Sequence, residues 1–183
     1  EDGKMDYSWL TSKNTALIEL GCEENQLTSL EVSNNTALER IQCQDNQLTS
    51  LDVSGDTELM YLYCNRNQLT NLNVSGNMAL TSLLCHDNQL TSLDVSKNTA
   101  LIDLGCANNQ LTSLDVSKNA ELRNLSCQNN QLEKLEIHNN IKLKDAYQNG
   151  EKIVDETDVI YESAEGCLVC DVEVQIIIEK VSD

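Results

Sequence analysis

Eight cysteines, two histidines and 30 acidic side chains are the groups in this 183-residue chain that could do chemistry. Two of the cysteines spell Cys167-Leu-Val-Cys170. A C-x-x-C pair serves redox chemistry or holds half a zinc site only where its sulfurs converge. On a strand, residues three apart face opposite sides, and no second Cys or His pair lies near in sequence. Simple packing is therefore expected, and a disulfide there would need a local turn. The other six, Cys22, Cys43, Cys64, Cys85, Cys106 and Cys127, stand 21 residues apart. His86 lies between Cys85 and Asp87. Alternation sends Cys85 inward and His86 outward, so they cannot act as nucleophile and base. There is no triad, no paired acid and base and no phosphate loop. The expectation is a non-enzyme without a cofactor.

The acids form a column of their own. Glu31, Asp52, Asp94, Asp115 and Glu136 share one place in the period, interrupted by Asn73. Stacked like charges repel unless something answers them. Lys97 and Lys118, three residues on from Asp94 and Asp115, do so in part. Calcium is the sharper alternative, but these loops lack the Gly-rich Asp-x-Asp spacing of calcium repeats, and no metal is expected. The formal net charge of −18, from 12 basic against 30 acidic residues, excludes nucleic acid and anionic membrane surfaces as partners, since both require clustered cations. It leaves open a basic protein, a neutral glycan, or charge that serves solubility alone.

What must position these groups is the repeat itself. Three residues after each spaced cysteine comes Asn25, Asn46, Asn67, Asn88, Asn109 or Asn130, followed by Gln-Leu. Two before it stands Leu20, Ile41, Leu62, Leu83, Leu104 or Leu125, and three before that another Leu. The unit reads L-x-x-L-x-C-x-x-N-Q-L. In L-x-C the two apolar side chains are two apart, so both point inward from a short strand. One strand per period makes a parallel sheet, and the Asn in register can form a side-chain ladder at the turn. The second half, mostly Leu-Asp-Val-Ser-x-Asn, adds Val32, Val53, Val74, Val95, Val116 and Ile137 to the core. With roughly six inward positions per turn, each worth about 1.5–3 kcal/mol when buried, stacking supplies the stability that one unit lacks. Cysteines in register on parallel strands sit about 4.8 Å apart. A disulfide brings Cβ atoms to about 3.8 Å, so reduced, buried thiols are expected.

This pattern resembles the leucine-rich repeats of bacterial surface proteins, in particular the internalin-like group with 21-residue cysteine-containing repeats. It is carried by stretches such as LTSLDVSKNTALIDLGCANNQ and covers about residues 9–148. The resemblance implies a right-handed solenoid, α/β by family but mostly β and coil, with one short parallel strand per turn. It also implies display at a bacterial cell surface or outside the cell, and adhesion by recognition of proteins or other macromolecules.

Both ends depart from the pattern. Trp9, Thr11 and Asn14 fall where Leu30, Val32 and Asn35 stand one period later, so the solenoid begins in mid-turn and residues 1–8 are an N-terminal cap or truncated entry. Leu143 still fits, but Ala146 replaces Leu, Gln148 replaces Cys and Glu156 falls on a core column. The solenoid is thus expected over 9–150. KIVDETDVIYES and LVCDVEVQIIIEK then read as strands around the turn at Ser163 to Gly166, so that 151–183 is a β-hairpin cap or the start of a further domain. No apolar run approaches the roughly 20 residues that span a bilayer, and the first residues lack the regions of a signal peptide. A leader or anchor removed from the chain would leave no trace here.

Recognition must rest on residues that the repeat does not dictate, and these lie on the outward columns of the strand sheet. In the middle turns Tyr61, Tyr63, Leu84 and His86 are expected to cluster, ringed by Arg40, Arg66 and Asp103, with Gly21 and Gly105 leaving shallow gaps on either side. Exposed aromatics beside arginine are typical anchors for a protein or glycan ligand. The plainer alternative is that the tyrosines pair across strands and the chain is a structural spacer with no ligand. A monomer is expected.

Overall fold

The computed structural model describes residues 14–148, 167–170 and 174–178. Each period folds as one turn of a solenoid. Three-residue strands β1 (Glu19–Gly21), β2 (Arg40–Gln42), β3 (Tyr61–Tyr63), β4 (Ser82–Leu84), β5 (Asp103–Gly105) and β6 (Asn124–Ser126) stack in chain order into a parallel sheet. The register never slips, Leu20 pairing with Ile41, Ile41 with Leu62, and so on to Leu125. Period-2 alternation sets the central residue of each strand and the cysteine two places on into the core, where the leucine and cysteine columns are buried throughout. The opposite side is nearly strandless. Among the described residues it holds one bridge between Glu31 and Asp52, and a two-stranded sheet near the far end that begins with β7 (Lys134–Glu136).

Two polar ladders hold the corners. At the first, the backbone turns through a left-handed residue in every period, Glu24, Asp45, Arg66, Asp87, Asn108 or Asn129, with φ of 53–57°. The asparagine that follows compensates for the strain. Asn67 Nδ2 donates to Cys43 O of the turn below at 3.0 Å and to Cys64 O at 3.1 Å, while its Oδ1 accepts from Leu48 N at 2.9 Å. Asn46, Asn88 and Asn109 repeat these bonds. At the second corner the amides of Asn77, Asn98, Asn119 and Asn140 each donate to two carbonyls of the turn below, Asn98 for example to Val74 O at 2.9 Å and Asn77 O at 2.8 Å.

Of the expected hairpin at the far end, only parts of the second strand lie within the described residues. Helix α1 (Ile141–Gln148) interrupts the columns and buries Leu143. The segment read as one strand after Gly166 is two, β8 (Cys167–Val169) and β9 (Gln175–Ile177), which do not pair with each other. β8 pairs in parallel with β6, Leu168 opposite Leu125, and β9 with β7, Ile176 opposite Leu135. The reason is in the residues. Leu168-x-Cys170 and Ile176-x-Ile178 repeat the two inward pairs of a solenoid turn, with a shorter connection between them. Cys170, 1% exposed, thus heads the cysteine column above Cys127, while Cys167 falls opposite Asn124. The first strand of the expected hairpin, 152–163, Glu156 and the expected N-terminal cap with Trp9 and Thr11 all lie outside the described residues.

Candidate functional site on the strand sheet

The outward residues of β2 to β5 make a patch whose shape follows from side-chain size. Tyr61 and Tyr63 flank the buried Leu62 and are themselves half-buried. The Arg40 guanidinium lies over the Tyr61 ring, 4.1 Å from its centroid, with Glu19 3.8 Å from its Nε. Such stacking holds an otherwise floppy cation in place. Next along the sheet lies a shallow groove of about 430 Å³, lined by Tyr63, Leu84 and Asp103 together with Gln42, Gln44, Asp45, Asn65, Arg66 and Ser82. Arg66 sits between Asp45 at 3.6 Å and Asp87 at 3.9 Å. Asp103 accepts a 2.6 Å hydrogen bond from Asn124.

Of the residues expected to cluster, the groove therefore gathers Tyr63, Leu84, Arg66 and Asp103, with Tyr61 and Arg40 as a stacked pair at its margin. Two are less available than expected. Leu84 is 6% exposed and His86 3%. The gap expected at Gly105 is taken up by both: a Cβ built there would meet Leu84 Cδ2 at 3.1 Å and His86 Cδ2 at 3.7 Å. His86 Nδ1 also lies 2.7 Å from Asp87 Oδ2. Gln42, Gln44 and Asn65 were legible as members of the outward columns, but nothing in their types marked them. Asp45 reaches the groove from the left-handed position, which no outward column includes.

Elsewhere the reactive groups have structural work. Burial pushes the Cys22 thiol up to about 11 and Cys85 to about 12, and raises Cys43, Cys64 and Cys106 as well. These are inert, protonated side chains at neutral pH. The acidic column is answered locally. Asp52, Asp94 and Asp115 accept from the backbone N–H of Ser54, Ser96 and Ser117 at 2.9–3.0 Å, and these serine bonds lower their pKa values, Lys97 and Lys118 adding less. Among the described residues, no three Cys, His, Asp or Glu side chains converge as a metal site would require.

No protein-family model and no curated protein matches the sequence. Solved structures do. The functional domain of InlJ from Listeria monocytogenes, which includes a cysteine ladder, superposes with a TM-score of 0.71 at 45% identity over 75% of this chain. The chain is an internalin-like leucine-rich-repeat solenoid. An internalin, InlF, of the same organism follows at TM-score 0.63 and 28% identity over 64% of the chain. The ectodomain of a plant membrane receptor kinase from Arabidopsis thaliana, in complex with Casparian strip integrity factor 2, shares the fold at TM-score 0.61 and 22% identity over 66% of the chain. This internalin-like solenoid spans only 30% of the InlJ structure, 36% of the InlF structure and 16% of the plant ectodomain.

Proposed function

We propose that the solenoid is a non-enzymatic, extracellular or surface-displayed binding module that takes a protein ligand on its strand-sheet face, centred on the groove beside Tyr63. One observation carries the reading. The core and corner columns barely change from turn to turn, whereas the outward columns vary, and their two tyrosines, stacked arginine and groove fall together in the middle turns. Aromatic and arginine side chains held by their neighbours lose little freedom on binding. The plant ectodomain of the same fold is itself in complex with a partner. The neighbouring structures are internalin and leucine-rich-repeat domains, and none points to a catalytic family.

The test is a panel of secreted and cell-surface protein ectodomains, with a glycan array beside it, probed in parallel with the native chain and with Tyr61→Ala/Tyr63→Ala. Protein signals that the double variant loses, at a thermal midpoint nearly unchanged, are the expected result. Equal signals from both proteins rule the patch out. Signals on glycans alone replace the protein ligand with a carbohydrate, and silence on every surface leaves the chain a spacer.

A further inference from the structure

The second corner ladder contains one acid. Asn35, Asp56, Asn77, Asn98, Asn119 and Asn140 occupy the same place in successive turns, and every one is 0% exposed. In four of them the amide nitrogen donates to two carbonyls of the turn below, at 2.8–3.0 Å. The carbonyls in that relation to Asp56 are those of Val32 and Asn35. Asp56 has no N–H to offer them, and both of its oxygens are buried without a hydrogen-bond partner. The amide oxygens of Asn77, Asn98, Asn119 and Asn140 likewise accept nothing, so one unanswered acceptor is common to the column. Peculiar to Asp56 is a second buried oxygen in place of the amide nitrogen, which without a proton cannot donate to the carbonyls below as the asparagines do.

A buried carboxyl oxygen that replaces a donor needs a hydrogen of its own to serve those carbonyls. Among the described residues no three Cys, His, Asp or Glu side chains converge here as a metal site would require. Nor can the turns separate freely, since Gly55 lets them approach until a Cβ on it would stand 2.7 Å from Ser33 O. No cation is at hand. The titratable groups of the stretches stacked here are Glu31 in the turn below and Asp52 and Glu58 in its own, while 73–80 above holds none.

We propose that Asp56 is a protonated rung of this ladder, its carboxylic O–H standing in for an amide N–H toward the turn below, and that loss of the proton loosens the joint between the first and second turns, those of Asn35 and Asp56. Burial, and after it the charge of Asp52, pushes the Asp56 carboxyl up to about 7 from an ordinary 3.8. The unfolded chain therefore releases this proton near pH 4 and the folded chain near pH 7. Between the two, folding takes up a proton, so stability falls as pH rises through that window and is level again above it, where the folded joint carries the buried charge.

The experiment compares the native chain with Asp56→Asn, which completes the ladder, by thermal unfolding from pH 4 to 8.5 at constant ionic strength. Other groups titrate alike in both and cancel in the difference. Expected is a variant close to the native chain at pH 4 whose advantage in Tm widens to several degrees by pH 7.5 and then holds. A side-chain carboxyl NMR titration of the native chain, which does not depend on the variant folding, should place Asp56 near 7. A Tm difference independent of pH, or a carboxyl titrating near 4, overturns the proposal.

Discussion

The two corners of each turn solve the same problem with the same residue and differ in how much of it they use. At the first corner Asn67 works at both ends: its nitrogen serves Cys43 O and Cys64 O, and its oxygen is the acceptor for Leu48 N. At the second corner Asn98 works at one end only, and the carbonyls it serves already accept backbone bonds, Val74 O from Asn77 N and Asn77 O from Leu80 N. A side chain that closes three backbone groups admits no substitute, and this column is asparagine in every period from Asn25 to Asn130. One that only supplements bonds already made tolerates an exception, and Asp56 is that exception.

The comparison is most directly broken by removing the amide at each corner. Asn67→Ala strands the buried Leu48 N–H, an unanswered group that costs about 1–3 kcal/mol, and takes one of two donors from each of Cys43 O and Cys64 O, which keep Asn46 and Asn88. It should lower unfolding stability by about 2–4 kcal/mol in urea titration. Asn98→Ala strands no donor and should cost only about 1–2 kcal/mol by the same measurement. Equal losses would mean that the corners are alike and that the Asp56 exception has another origin. The smallest effect sharpens the first corner against the groove. Arg66 has φ 54°, a conformation that asparagine adopts at less cost than arginine, while its two ion pairs are exposed and weak. Arg66→Asn should therefore raise stability by less than about 1 kcal/mol while weakening ligand binding on the proposed face.

Most of the scaffold was legible because its signal recurs. The L-x-x-L-x-C-x-x-N unit names the strand, its inward residues and the first ladder before any coordinate is seen. The second ladder has the same period and could have been found, but its role is visible only when Asn35, Asp56 and Asn77 are seen to be stacked and fully buried. The groove was half legible. Side-chain type singled out Tyr63 and Arg66, whereas the loss of Leu84 and His86 from the surface depends on how they lean over Gly105, a matter of packing that column arithmetic does not contain. The closing turn was illegible for a different reason. Cys170 follows Cys127 by 43 residues, so a search at one fixed spacing passes over it.

That late rung bears on how the molecule assembles. The pairs from β1 to β6 join residues 21 apart, whereas Leu168 meets Leu125, and Ile176 meets Leu135, across about twice that length of chain. Doubling a loop adds only about 0.6 kcal/mol of closure entropy, an increment that a few buried methylene groups offset. The solenoid therefore accommodates an excursion between two turns at little cost in final stability. Its cost should be felt in time instead: nearest-neighbour turns are expected to zip along the array first, and the turn built from Leu168, Cys170, Ile176 and Ile178 to dock last, on a template already made.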